Sequence, residues 1–330
     1  MSKPKVVAVT GASGFIGSAL CQYLSDRGFN VRTIVRHAEP GSQAIAVGDV
    51  GPNTDWSVAL DGVECVVHCA GRAHVLKDSS ENPLQEFRRV NRDGTLQLAR
   101  SAAKAGVKRL VFLSSVGVIG AAQNNAEVFD IDTVPRPEWD YAVSKWEAEQ
   151  ALNSLAQKAG LEVVNVRPPM VYGPDVPANF LRLIKIVDLG LPLPLGAINN
   201  RRSMIALANL LSFIEECILN EKAANKTFFV SDGKDLSTPE IIRLIAKTLG
   251  KRTLLIPIPV FFLRFIGKLV GRSEDVDRLS GNLQIDTSHT RSTLGWTPPV
   301  SVEHGISETV KWYKACFRTS ANNHQSKMAE

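Results

Sequence analysis

Three glycines at intervals of three, Gly11, Gly14 and Gly17, stand between an apolar run (KVVAVT, 5–10) and a stretch whose apolar residues recur at helical spacing. This junction constrains the fold more than any other feature. The run before Gly11 fits a strand buried on both faces. From 13 to 27, Phe15, Ile16, Ala19, Leu20, Tyr23 and Leu24 share one helix face, and Gly28 stops the helix. A strand that turns through glycines straight into a helix opens a βαβ unit.

The alternation continues along the chain. Residues 31–35, 44–47, 64–68, 109–114 and 162–167 read as further strands, with helical patterns over 83–105 and from Tyr141 to about 159. Strands alternating with helices predict an α/β fold with a doubly wound parallel sheet of the Rossmann type, here over 1–167. After Arg167 the pattern changes. Pro168, Pro169, Gly173, Pro174 and Pro177 cluster, and helical stretches follow at 178–189, 207–220, 239–249, 260–271 and 302–315. These predict a smaller, mostly helical lobe over 168–318. The polar segment 319–330 reads as a disordered tail.

The net charge of +5 on 330 residues comes from scattered Lys and Arg, which argues against a nucleic-acid partner. Cys21, Cys65, Cys69, Cys217 and Cys316 have no metal-ligand spacing. They predict neither a metal site nor a disulfide framework and fit a reducing compartment. The first residues lack the apolar core of a signal peptide, and the apolar stretch 254–270 is interrupted by Pro257, Pro259, Arg264 and Lys268. A membrane span needs about 20 mostly apolar residues, so the expectation is a cytoplasmic protein. Arg264, Lys268 and Arg272 repeat every fourth residue beside an apolar face. That pattern suits a solvated face or a peripheral membrane contact.

Gly11-x-x-Gly14-x-x-Gly17, with Phe15 and Ile16 between its last two glycines, can hold a dinucleotide. Gly11 permits the tight turn, Gly14 lets a pyrophosphate approach the backbone, and Gly17 lets helix and strand pack closely. The pyrophosphate then meets the free N–H groups of a helix N-terminus. The second strand ends at Arg36, a basic residue that suits the ribose phosphate of NADP better than the free hydroxyl of NAD. Asp49 follows the third strand and can meet the adenine. Ala70-Gly71, after the fourth strand, lets a loop pass close to the cofactor.

Tyr141-Ala-Val-Ser-Lys145 lies downstream of Ser114-Ser115. A phenol has a pKa near 10 and is a poor acid/base at neutral pH. A Lys one helical turn away favours the phenolate and can also hold a nicotinamide ribose. Ser115, at the end of the fifth strand, can hydrogen-bond a reacting oxygen. The set can move a proton beside a hydride carrier.

With these motifs the chain resembles the extended short-chain dehydrogenase/reductase family, within it the nucleotide-sugar epimerase/dehydratase group. The resemblance rests on TGASGFIG (10–17), HCAG (68–71), NRDGT (91–95), SSVGVIG (114–120), Tyr141 to Lys145, and RPPMVYGP (167–174), and covers about residues 5–315. It implies Tyr141 as the acid/base, Lys145 as its partner and Ser115 on the sugar C4 oxygen. It implies a bracing role for Asn91, substrate contact for Asn179, and diphosphate contacts for Arg202 and Arg278. Related enzymes often pair as homodimers through helices corresponding to 83–105 and 141–159.

Departures from the family narrow the chemistry. The group's dehydratases carry Asp-Glu directly after the catalytic hydroxyl residue, where this chain has Val116-Gly117, so dehydration is excluded. Ile119 replaces an aromatic residue, and Arg36 replaces the acidic residue of NAD-retaining epimerases. The resemblance then implies NADPH-dependent reduction of a UDP-4-keto-6-deoxy-N-acetylhexosamine for surface polysaccharide, with NAD possible. The alternatives are a 4-epimerase of UDP-hexoses or UDP-N-acetylhexosamines, and a cofactor-sensing regulatory protein on the same fold.

Overall fold

The computed structural model describes residues 6–73, 80–121, 127–269, 271 and 273–318. The expected tail and the Arg272 position of the basic stripe lie outside them.

The first half runs β1 (Val7–Thr10), α1 (Phe15–Asp26), β2 (Val31–Val35), β3 (Ile45–Ala46), α2 (Ser57–Leu60), β4 (Cys65–His68), α3 (Pro83–Phe87), a π-wound stretch Arg88–Gly94, α4 (Thr95–Lys104), β5 (Arg109–Leu113), a 3-10 turn Val116–Ile119, β6 (Val128–Phe129), α5 (Asp140–Ala159) and β7 (Glu162–Arg167). The second half runs β8 (Met170–Tyr172), α6 (Ala178–Asp188), β9 (Met204–Ala206), α7 (Leu207–Leu219), β10 (Lys226–Phe229), α8 (Thr238–Leu249), α9 (Val260–Leu269), α10 (Ser273–Ser280), β11 (Gln284–Ile285), α11 (Ser288–Leu294) and α12 (Val302–Tyr313).

Seven strands form one parallel sheet in the order β10-β7-β5-β4-β1-β2-β3. The doubly wound Rossmann fold expected from the alternation is therefore present. Alternation along each strand feeds two cores. Val7, Val9, Cys65, Val67, Val111 and Leu113 pack toward α1 and α7, while Ala8, Val66, Leu110 and Phe112 pack toward α4 and α5. That two-sided burial is why the strands read as continuous apolar runs. The order reverses between β1 and β4, so a crevice opens at the carboxyl ends of these strands, where open α/β sheets bind ligands.

Two elements from beyond Arg167 return to this sheet. Strand β10 pairs with β7 (Phe229 opposite Arg167), and α7 contributes Leu210, Phe213, Ile214 and Cys217 to the α1-side core. A separate core joins Tyr172, Phe180, Ile184, Ile241, Ile245, Val302, Ile306 and Val310 around α6, α8 and α12.

The helix expected over 83–105 differs in form. The 83–105 pattern is helical throughout but widens to π winding over Arg88–Gly94. Apolar periodicity does not reveal the change. Asn91 lies in the middle of this stretch, its buried side chain held by neighbours on two other elements.

Candidate active site

The glycine turn is built by close approach. Gly11 sits at φ +66°, and a Cβ there would lie 2.7 Å from the Ala70 nitrogen, on the loop after β4. A Cβ on Gly17 would lie 2.2 Å from the Gly11 carbonyl oxygen. Gly14 occupies the N-cap position of α1 in extended conformation, with no side chain capping the helix. Phe15 and Ile16 turn into the core. Their backbone opens the helix, and with no side chain capping it the first-turn N–H groups are available to an anion. This uncapped turn, flush against Ala70, fits a dinucleotide pyrophosphate.

At the other end of the crevice Arg36 and Asp49 meet each other. Their side chains form an ion pair at 3.1 Å, exposed by 67% and 73%. The two residues expected near the adenosine thus share one place at the sheet's edge.

Lys145 lies on α5, one turn beyond Tyr141, and is buried. Its Nζ donates to the Leu113 carbonyl at 2.8 Å and stands 4.5 Å from the Phe112 ring centre. Gly71 passes directly over it: a Cβ there would lie 3.3 Å from Nζ and 3.1 Å from Asn91 Oδ1. Burial lowers the Lys145 pKa to about 8, against a partial counter-pull from Cys69 and Glu149. Burial raises the Tyr141 phenol to about 12, and a hydrogen bond with Ser115 opposes that rise. Ser115 also accepts from the Gly117 nitrogen at 3.0 Å, capping the turn that follows β5. The Tyr141 ring sets its edge toward Phe87, with centroids 6.3 Å apart.

Asn91 braces this arrangement. Its Nδ2 donates to Ser144 Oγ at 3.0 Å and to the Arg72 carbonyl at 3.1 Å, and its Oδ1 accepts from the Arg72 nitrogen at 2.7 Å. One side chain so ties the π-wound stretch, the Gly71 loop and the helix carrying Tyr141 and Lys145.

Three supporting groups were not anticipated. Ser144 stands inside the Tyr141–Lys145 motif and relays Asn91 to the Tyr141 carbonyl at 2.8 Å. His68 is fully buried, bound through Nδ1 to Thr10 Oγ1 at 2.6 Å and through Nε2 to Thr95 Oγ1 at 3.0 Å. Burial, aided by the Lys145 charge, pushes its pKa down to about 3, so it is neutral. Thr10 also accepts from the Ala70 nitrogen at 3.3 Å, so this chain supports the crevice floor. Glu149, a further turn along α5, pairs with Arg167 beneath the site. A histidine within an apolar strand and a glutamate one turn past Lys145 were the available signals.

The substrate residues implied by the family lie in the second lobe. Arg202 Nη1 donates to the carbonyls of Arg278 at 2.5 Å and Gly281 at 3.2 Å. The structure thus joins Arg202 to Arg278 through the backbone at the end of α10, and burial lowers the Arg202 pKa. The Arg278 side chain is exposed. Asn179 is exposed on the first turn of α6, next to Ala178 at φ +54°.

Known proteins share these features. The family model described as the NAD dependent epimerase/dehydratase family matches residues 7–214. A UDP-glucose 4-epimerase of Vibrio cholerae is 43% identical over 312 residues, covering 93% of this chain and 95% of the relative. An N-acetyl-alpha-D-glucosaminyl-diphospho-ditrans,octacis-undecaprenol 4-epimerase of Escherichia coli O157:H7 is 26% identical, covering 93% and 94%. The structure of MoeE5 in complex with UDP-glucose and NAD superposes with a TM-score of 0.75 at 26% identity, covering 94% and 98%. With the glycine turn, the sheet order and the Tyr141–Lys145 helix in place, this chain is an enzyme of the NAD-dependent epimerase/dehydratase family.

Proposed function

We propose that the chain transfers hydride at C4 of a UDP-sugar, with Tyr141 as acid/base, Lys145 as its electrostatic partner and Ser115 on the reacting oxygen. The observation that carries this reading is the buried Lys145 one helical turn from Tyr141 on α5, whose first turn lies against the Ser115–Gly117 turn: a Cβ on Gly117 would sit 3.3 Å from Ser115 Oγ and 3.6 Å from the Ala142 Cβ. When bound, a nicotinamide dinucleotide supplies the hydride donor or acceptor. Gly11, Gly14, Gly17, Ala70, Gly71 and Lys145 would hold it.

The chain's own groups handle the proton. The raised Tyr141 pKa keeps the phenol protonated at neutral pH, ready to protonate an oxyanion forming at C4. In the oxidising direction the phenol must give up that proton, and the Lys145 ammonium favours the phenolate. Ser115 orients the sugar oxygen between them. Val116 and Gly117 carry no acidic group, so nothing at those positions can protonate a departing C6 hydroxyl.

Within this chemistry we place first the NADPH-dependent reduction of a UDP-4-keto-6-deoxy-N-acetylhexosamine, as a surface-polysaccharide precursor. The exposed Arg36 guanidinium at the end of β2 supports it, since it offers an NADP phosphate a charged donor. The second reading, a UDP-hexose or UDP-N-acetylhexosamine 4-epimerase, is favoured by the 43% identical relative of that name and by MoeE5 with UDP-glucose and NAD.

One experiment separates them. Purified protein is given NADPH and UDP-4-keto-6-deoxy-N-acetylglucosamine, then UDP-hexose and UDP-N-acetylhexosamine pairs. Stoichiometric NADPH oxidation, lost in Tyr141→Phe while NADPH still binds, supports the reductase. Interconversion of C4 epimers without net cofactor use supports the epimerase. Turnover unchanged in Tyr141→Phe would overturn the catalytic assignment.

A further inference from the structure

Helix α9 turns the wrong side of itself to water. Leu263 and Gly267 are its buried residues. Away from them stand Phe261, Phe262, Phe265, Ile266 and Leu269, each more than half exposed. At 3.6 residues per turn these five fall on one broad face opposite the buried edge. The rings of Phe261 and Phe262 lie 4.2 Å apart, so the apolar surface is continuous there. Leu254 and Ile256, just before the helix, are exposed too, while Leu255 between them bridges to Leu193. Arg264 and Lys268 border the apolar face on one side, and Arg264 pairs with Asp277 of α10 at 2.7 Å. Soluble surfaces rarely gather so many bulky apolar side chains on one short helix.

We propose that α9 is an interfacial helix that seats this lobe on a lipid bilayer surface. The five apolar side chains project into solvent, as insertion into a bilayer requires. A ten-residue helix is about 15 Å long, too short to supply alone the roughly 800 Å² per partner of a stable dimer. Aromatic and aliphatic side chains bordered by Arg and Lys match the boundary between acyl chains and anionic headgroups. The chain's net charge of +5 complements an anionic leaflet. Among the described residues no helix is long and apolar enough to cross a membrane, so the contact is with the surface.

The test uses the full chain with vesicles of phosphatidylcholine, alone or mixed with phosphatidylglycerol. Co-sedimentation is measured for wild type, for the double variant Phe261→Ser/Phe265→Ser, and for Lys268→Glu. Circular dichroism and dinucleotide binding check that each variant is folded. The expected result is wild-type binding to the mixed vesicles and a drop of about tenfold or more in the double variant, as two phenyl rings leave the acyl region. Lys268→Glu weakens binding to the anionic vesicles more than to the neutral ones. Wild type that stays in the supernatant, or variants that bind equally, overturns the proposal. So does a wild-type dimer in sedimentation velocity that becomes monomeric in the double variant without any vesicle binding, which would make the face a subunit contact.

Discussion

Arg167 and Glu149 grip each other at 2.6 Å with their side chains exposed by only 6% and 0%. A second contact, Arg167 Nε to Glu149 Oε1 at 3.0 Å, makes the pair bidentate, and Ser114 Oγ also donates to Glu149. Trp146 and Phe229 flank the guanidinium. Removing one partner strands the other charge in the core. Glu149→Leu alone is expected to cost roughly 3–5 kcal/mol, and the double variant with Arg167→Leu less than the sum of the two single changes. Urea unfolding of the four proteins measures this. A single variant within about 1 kcal/mol of wild type would contradict the pairing.

With the proposed role of Lys145, turnover is expected to have an alkaline limit. The Lys145 pKa, held by burial at about 8, means the ammonium that favours the Tyr141 phenolate is lost as pH rises through that value. The rate should decline above about pH 8, and Lys145→Arg, if it turns over, should carry the decline to higher pH because guanidinium stays charged. The fold binds fewer protons at Lys145 than the unfolded chain does between about 8 and 10.5, so this residue adds stability as pH rises across that window. A rate profile level up to pH 9.5 would contradict the assignment.

His68 makes the fold sensitive to acid. It titrates near 6.5 when unfolded and near 3 when buried. The unfolded chain therefore takes up the proton first, and stability falls as pH drops from 6.5 toward 3. By pH 5 the loss from this residue is roughly 2 kcal/mol, at 1.36 kcal/mol per pKa unit. Denaturant melts of wild type and His68→Gln at pH 7 and pH 5 give the number: the wild type should lose more stability between them. Equal losses would remove His68 from the account.

The glycine turn predicts graded effects of one methyl group. At Gly17 the added Cβ meets backbone at 2.2 Å, at Gly14 at 3.2 Å. Gly17→Ala should displace α1 from β1, lowering stability by roughly 1–3 kcal/mol and abolishing dinucleotide binding. Gly14→Ala should leave the melting temperature near wild type and weaken the cofactor alone. Calorimetric titration with NADH and NADPH, paired with thermal melts, checks both. Wild-type affinity in Gly17→Ala would show that the turn does not carry the cofactor.

The fold was readable from the chain wherever its determinants are local. The Gly11–Gly17 turn, the apolar strands and the start of α5 each depend on a few neighbouring residues. The supports of the site are not local. Thr10 and His68 stand 58 positions apart, and Arg202 meets a carbonyl 76 positions away. No spacing rule reaches that far. A basic residue at 202 is visible in the sequence, whereas its anchoring to the end of α10 is a property of the fold. The pairs β6 with β11 and β8 with β9, of two and three residues each, fall below the length at which alternation is detectable. Strand β10 is hidden similarly, being a four-residue run that begins with Lys226.

That last strand has a consequence for how the protein is made. While the chain is being synthesised, β7 has no neighbour on its outer edge until residues 226–229 have emerged, some sixty positions later. Until then its Val164, Val166 and Arg167 backbone is an open template for another nascent chain. A ribosome stalled between the two segments would hold a sheet ready to aggregate, and a transcript ending there would encode a protein with an unsealed flank.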